Sequence, residues 1–322
     1  MNKIIIIVGP TASGKTGLSL VLTKKFNGEI ISADSRQVYR EMDIATAKIK
    51  NKKLKIKNSR CGCEAIAEGI PHHLIDIVNP NENFTAADFK VRAGRCIEDI
   101  LRREKTPFIV GGTGLYIKAL IDDLDFAKVQ PNIKLREELE KKSLEELVEM
   151  LRGYNPEAIK KIDIKNPRRV VRAVEIALSK SLPEEGFRSS SELINTPLFF
   201  SRRDFEFLQL GIKIPQTELY RRIDERIDNQ IKEGLIEEVK KLSEKYSPSI
   251  PSMTGIGYRQ MGYYLCGEMS LVEAVRRLKF DTHHYAKRQV TWFKRDKSIQ
   301  WLDGDDTKTA EALVRRFLGV WD

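Results

Sequence analysis

The octapeptide GPTASGKT spans residues 9–16, directly after the apolar run IIIIV. It fits the spacing G-x-x-x-x-G-K-[ST], which binds phosphate when a strand precedes it and a helix follows. The loop comprises Gly9, Pro10, Thr11, Ala12, Ser13, Gly14, Lys15 and Thr16. Gly9 and Gly14 let the backbone curl so that N–H groups face inward. Lys15 supplies a mobile positive charge and Thr16 a hydroxyl able to ligate Mg²⁺, while the helix starting there adds its positive dipole end. The default occupant is a nucleotide triphosphate, so a small-molecule kinase acting on ATP is one reading.

The surroundings of the loop depart from that default. A nucleotide hydrolase carries a second strand ending in an acidic residue that helps hold Mg²⁺. The corresponding stretch here, PFIVGGTG (107–114), ends in glycines and a threonine. The acid comes from EIISADSRQVYREMD, which places Asp34 and Ser35 at the mouth of another strand. Ligands of open parallel sheets bind at the carboxyl ends of strands, so Asp34 and Thr113 are expected beside the loop and beside each other. An Asp at a strand end is also a common helix cap, and the residues alone leave both roles open.

These groups need a scaffold. Strand-like segments at 3–8, 29–33, 73–78 and 106–110 alternate with helical stretches, the pattern of an α/β core with a parallel sheet. After residue 120 the texture becomes charged and helical, so 121–197 reads as an inserted helical domain. It closes on the Ser-rich GFRSSSELINTP, and 1–120 with 198–322 form the phosphate-loop core. FEFLQLGIKI (205–214) looks like a strand returning to the sheet, and the remainder is helical apart from a short IQWLD. The stretch 48–63 is basic, with no clear periodicity.

The chain has 322 residues, a formal net charge of +10 and four cysteines. No run approaches the roughly 18 apolar residues of a membrane helix, and the cysteines form no disulfide framework. A soluble, cytoplasmic protein without membrane contact is expected, with a polyanionic partner favoured by the charge.

Taken together, the motifs resemble one family, the tRNA dimethylallyltransferases. The matching stretches are GPTASGKT, ISADSRQVYREMDIATAK (31–48), GIPHHLIDIV (69–78), FTAADF (84–89), FIVGGTGLYIKAL (108–120), NPRRVVRAVEI (166–176), RRIDERID (221–228), GIGYRQM (255–261) and YAKRQVTWFKR (285–295). The resemblance implies transfer of a dimethylallyl group from dimethylallyl diphosphate to N6 of the adenosine just 3′ of the anticodon. It implies that the loop from Gly9 to Thr16 holds the donor's diphosphate with Mg²⁺. Asp34 would be the base toward the attacking amine, Thr113 would flank the reaction channel, and Lys15 and Arg226 would assist, with Arg222 nearby. Asp34, Ser35, Arg36 and Gln37 would line the tRNA site. Arg136, the run Arg168, Arg169, Val170, Val171 and Arg172, and the run Thr254, Gly255, Ile256, Gly257, Tyr258 and Arg259 would meet the anticodon stem-loop. A single chain is expected to be the working unit.

The chain departs from the family pattern in three places. Ala45 and Ile49 stand where the family usually has Gly and Pro, and Thr282-His283 replaces Thr-Arg. No zinc-finger extension like that of eukaryotic relatives is seen.

Other features read as structural. His72 and His73 are adjacent on a strand and point to opposite faces, so one site cannot easily use both. Trp292 and Phe293 fit core positions better than base-stacking platforms. Besides the kinase, the rivals are a non-catalytic RNA-binding module and prenyl transfer to free adenine nucleotides. The arginine-rich insert favours tRNA over a mononucleotide.

Overall fold

The computed structural model describes residues 1–49, 53–56, 63–124, 132–181, 204–304 and 306–320. Two compact units are present: Met1–Leu124 with Leu198–Asp322, and Asp125–Pro197. The closing segment GFRSSSELINTP lies outside the described residues.

The larger unit is built on strands β1 (Asn2–Val8), β2 (Gly28–Ser32), β3 (Lys53–Ile56), β4 (Cys63–Ala67), β5 (Ile70–His73), β6 (Thr106–Gly111), β7 (Phe205–Lys213) and β8 (Gln300–Asp303). They form one sheet in the order β3-β4-β5-β2-β6-β1-β7-β8. Every pairing from β5 across to β8 is parallel, as the α/β pattern predicts. The β3–β4 and β4–β5 pairings are antiparallel, so the sheet is mixed at that edge. The hairpin grows from the basic 48–63 segment, where charged residues hide any alternation. Ile4 to Val8 are fully buried on β1, as a central parallel strand covered on both faces requires.

The helices are α1 (Lys15–Lys25), α2 (Ala86–Arg102), α3 (Gly114–Ile121), α4 (Ile133–Leu139), α5 (Leu144–Tyr154), α6 (Pro156–Lys161), α7 (Pro167–Ser181), α8 (Gln216–Lys232), α9 (Leu235–Lys245), α10 (Tyr258–Leu265), α11 (Leu271–Phe293) and α12 (Thr307–Leu318). Leu18 and Leu22 of α1 and Ala310 and Val314 of α12 cover one face of the sheet. Residues of α2, α3 and α8 to α11 form the apolar layer on the other. None of the helices in the described residues is long and apolar enough to cross a membrane.

Two local expectations are corrected. The third parallel strand is Ile70–His73, not 73–78. Leu74 and Asp76 adopt left-handed φ values of 63° and 57°, which no strand tolerates. Lys48 Nζ holds the Asp76 carboxylate, and the Ile77 and Val78 amides donate to Val38 O, so the apolar LIDIV run packs as irregular chain. The helical stretch after Gln216 is broken at Gly234, whose φ of 96° ends α8 and starts α9.

In the smaller unit, α4 to α7 pack around Leu139, Leu147, Leu151, Val170 and Val174. Asn132, Ser143 and Asn155 cap α4, α5 and α6 by accepting from the backbone three residues on.

Candidate active site

A cavity of about 760 Å³ opens at the carboxyl ends of β1, β2 and β6. Its wall includes Thr11, Ala12, Gly14, Lys15, Thr16, Asp34, Gln37, Gly112 and Arg226. The phosphate loop, the acidic corner and an arginine of α8 therefore meet in one space.

The loop takes its shape from left-handed backbone, adopted freely by glycine and at a cost by alanine. Gly14 has φ 92° and Ala12 φ 61°. The Thr11 amide donates to Gln289 Oε1 at 2.8 Å, and the Ser13 amide to Pro10 O at 3.3 Å. Two of the loop's amides are thus engaged within the protein, leaving the others and the start of α1 for an anion. Ser13 is itself buried, and Pro10 lines a separate groove beyond the loop. Gly9 packs against Ile212, where an added Cβ would lie 3.2 Å from the backbone oxygen.

Lys48 is neutralised by Asp43 and Asp76, whereas Lys15 and Arg226, the cavity's other two cations, have no carboxylate in contact among the described residues. Lys15 Nζ donates to Pro10 O at 2.6 Å, and Arg226 Nη1 donates to Thr11 Oγ1 at 2.9 Å. Burial of the ammonium pulls the Lys15 pKa down to about 8, with Asp34 opposing the shift and Arg226 adding to it. Desolvation also lowers the Arg226 pKa, again against the pull of Asp34. A site that desolvates two cations without neutralising them is prepared for a multiply charged anion.

The acidic corner is held from two sides. Asp34 Oδ1 accepts from the amides of Arg36 at 2.8 Å and Gln37 at 3.4 Å, so Asp34 does cap the turn after β2. That leaves Oδ2 for the cavity. The Ser35 amide donates to Thr113 Oγ1 at 3.0 Å, and the Thr113 amide to Ala33 O at 3.1 Å. Asp34 and Thr113 are neighbours, as the strand ends predicted. The preceding glycines are closely packed: a Cβ on Gly111 would lie 2.1 Å from Ala33 O in the backbone, and one on Gly112 would lie 2.2 Å from Gln289 Nε2 and displace that carboxamide. Tyr116 and Tyr285 feel the Asp34 charge, and burial raises both their pKa values.

Residues assigned to RNA contact fall into distinct environments. Gln37 faces the cavity, donating to Thr46 O at 3.3 Å and accepting from the Ser32 hydroxyl. Arg36 is turned away, donating to Pro251 O at 2.8 Å. Gly255, Gly257 and Tyr258 are buried, Ile256 is half-buried, and only Thr254 and Arg259 of that run are exposed. Arg259 pairs with Asp281 at 3.0 Å. In the smaller unit Arg168 and Arg169 are exposed, whereas Val170 and Val171 are core residues and offer no side chain to a partner. Arg136 and Arg172 both bind the fully buried Glu175, at 2.8 and 2.6 Å.

Three positioning groups were not singled out from the sequence. Glu238 of α9 accepts from the amides of Asp43 and Ile44 at 3.0 and 2.8 Å and from the Tyr258 hydroxyl at 2.7 Å, fixing the turn that walls the cavity. Lys48 is buried between Tyr39 O and the carboxylates of Asp43 and Asp76. Gln289 ties Thr11 to Gly112. Lys48 and Gln289 lie inside the quoted motif blocks, but only tertiary contacts reveal what they hold.

The histidines separate by face. His73 bonds the buried Glu29 at 2.7 Å, alongside Arg103 and Lys105, in a structural cluster. His72 faces the cavity, and its Nδ1 bonds Ile70 O at 2.9 Å. Phe293 is core and Trp292 is partly exposed, its indole lying over Gly114.

A family model described as IPP transferase matches residues 37–296, and one described as isopentenyl transferase matches residues 2–65. The chain is 39% identical over 319 residues to the tRNA dimethylallyltransferase of Anoxybacillus flavithermus, covering 98% of this chain and 95% of that protein. It is 42% identical over 305 residues to tRNA dimethylallyltransferase 2 of Geotalea uraniireducens, covering 94% and 92%. Among solved structures, the tRNA isopentenylpyrophosphate transferase of Bacillus halodurans superposes with a TM-score of 0.69 at 36% identity, covering 99% of this chain and 97% of that one. A eukaryotic dimethylallyltransferase described as acting on tRNA superposes with a TM-score of 0.75 at 29% identity, covering 99% and 80%. With sequence, fold and cavity in agreement, the chain belongs to the tRNA dimethylallyltransferase family.

Proposed function

We propose that the protein transfers a dimethylallyl group from dimethylallyl diphosphate to N6 of the adenosine 3′ of the anticodon in tRNA, releasing diphosphate. One observation carries the reading: Lys15 and Arg226, both desolvated and neither bonded to a carboxylate, share a cavity with Asp34. The strand end where a phosphotransferase would keep its acid is occupied by two glycines, the first pressed against the Ala33 backbone and the second against the Gln289 carboxamide.

The exocyclic amine of adenine is a poor nucleophile because its lone pair is delocalised into the ring. Ionisation of the allylic carbon–oxygen bond must therefore supply much of the driving force. The free amides of the phosphate loop, Lys15 and Arg226 stabilise the charge gathering on the departing diphosphate. Asp34 Oδ2 takes the proton that the amine sheds as the new carbon–nitrogen bond forms, a role worth ~10²–10⁴-fold. Thr113 holds the Ser35 backbone and so fixes the turn that aims Asp34.

Magnesium fits the residues present. Thr16 offers an exposed hydroxyl at the cavity wall, and among the described residues no three His, Cys, Asp or Glu side chains could cage a metal. A phosphate-loop hydroxyl is a Mg²⁺ ligand in this motif, and the ion completes its shell with substrate phosphates and retained waters. When bound, the ion would offset diphosphate charge.

A single chain is the working unit of this reading. RNA phosphates would meet the exposed Arg168, Arg169, Thr254 and Arg259. Arg36, Arg136 and Arg172 would act through the carbonyls and the carboxylate they hold, and Ser35, Gly255, Ile256, Gly257, Tyr258, Val170 and Val171 through packing.

The test is nucleoside mass spectrometry after incubation of the protein with dimethylallyl diphosphate, Mg²⁺ and unmodified tRNA. N6-dimethylallyl adenosine is expected beside the anticodon. Asp34→Asn should bind tRNA normally while turnover falls ~10²–10⁴-fold. ATP turnover without prenylated nucleoside would overturn the reading.

A further inference from the structure

Gln289 lies on α11, 278 residues from Thr11, yet its carboxamide joins two parts of the site. Oε1 accepts from the Thr11 amide at 2.8 Å, and Nε2 donates to Gly112 O at 2.9 Å. The residue is only 6% exposed, so bulk water barely competes for either bond. The amide cannot flip, because a flip would set N–H against N–H and oxygen against oxygen. A Cβ on Gly112 would lie 2.2 Å from Nε2, so any side chain there would displace the carboxamide.

Each partner leads to a different half of the chemistry. Thr11 belongs to the phosphate loop and receives Arg226 on its hydroxyl. Gly112 precedes Thr113, whose hydroxyl holds Ser35 beside Asp34. One side chain therefore links the cradle of the leaving group to the corner that carries the proposed base.

We propose that Gln289 is a positioning residue for prenyl transfer, setting the phosphate loop against the Thr113–Ser35–Asp34 corner. The gap between departing diphosphate and incoming amine is fixed by these two bonds. The inference rests on the prenyl-transfer reading above. Misplacement of reacting groups by about 1 Å can cost ~10²-fold in rate. The effect belongs in kcat, because the donor's own contacts with Lys15, Arg226 and the remaining amides stay in place.

Steady-state kinetics, with calorimetric binding of dimethylallyl diphosphate, separate the possibilities. Gln289→Met keeps length and volume but makes neither bond; kcat should fall about 10- to 100-fold with the donor Kd within about threefold. Gln289→Glu keeps the acceptor for Thr11 and loses the donor to Gly112. Its kcat relative to the parent should recover as pH falls, because a protonated carboxyl again donates. Gly112→Ala should lower both stability and kcat. Adding Gln289→Ala should restore melting temperature without restoring kcat. Full kcat in Gln289→Met, or recovery of kcat in the double variant, means that Gln289 only fills space and overturns the inference alone. Should Gln289→Met fail to fold, the pH profile of Gln289→Glu decides, and a flat ratio overturns it. Absence of prenylation by the parent protein overturns the reading and the inference together.

Discussion

The cations of the phosphate-loop corner and those of the helical insert are handled in opposite ways. In the insert, Arg136 and Arg172 converge on Glu175, which is fully buried and satisfied. Desolvation there is answered by a fixed counter-charge, and burial's upward push on the Glu175 pKa is overcome by the two guanidinium groups, which hold it low. In the loop corner, Lys15 and Arg226 find only a carbonyl and a hydroxyl among the described residues. The first arrangement closes a structure. The second leaves an electrostatic demand that a ligand must meet.

Removing one charge from each region should give different phenotypes. Lys15→Met takes away charge stabilisation of the leaving group, and kcat/KM for prenylation should fall about 10²- to 10³-fold or more with the fold intact. Retention of normal turnover would erase the contrast. Glu175→Gln strands two arginines in the insert. A fully buried pair would cost about 3–5 kcal/mol, and here about 2 kcal/mol is expected because both guanidinium groups reach solvent. Hydrogen exchange over residues 132–181 reads that loss, while dimethylallyl diphosphate binding to the core should be unaffected.

A pH series sharpens the comparison. Lys15 binds an anion as the ammonium form, and its pKa is about 8 without ligand. Donor affinity should be flat between about pH 7, above the last ionisation of the donor's own phosphate, and pH 8, and fall toward tenfold per unit above it, with proton uptake on binding seen by calorimetry in buffers of different ionisation heat. A pH-independent affinity between 7 and about 10 would show that Lys15 is not desolvated. The smallest effect is expected from Glu149→Ala, whose partner Arg152 is exposed on α5. Thermal unfolding should register less than about 0.5 kcal/mol.

What the sequence could disclose follows from how local each determinant is. The phosphate loop is legible because eight consecutive residues, with left-handed glycines, carry its geometry. The place of Asp34 and Thr113 is legible because parallel strands deliver their carboxyl ends to one edge. The third strand was misplaced because LIDIV is apolar enough for a strand, while its conformation is set by Lys48 and Val38 elsewhere in the chain. Helical spacing puts Arg169 and Arg172 on one face with Val170, Val171 and Val174 turned elsewhere, and these valines are buried; only the motif block, taken whole, assigns Val170 and Val171 to RNA contact. Gln289 and Glu238 were illegible as site residues because their partners are remote in sequence.

The paired glycines at the end of β6 restrict what this scaffold can become. Reinstating a metal-holding aspartate there would drive its first carbon into the main chain of Ala33 at one position and into a buried carboxamide at the other. At the first position the backbone of Ala33 would have to retreat, and at the second the Gln289 carboxamide would have to leave its place between Thr11 and Gly112. Commitment to one type of leaving-group chemistry is thereby recorded as a steric ratchet, written in atoms that are absent.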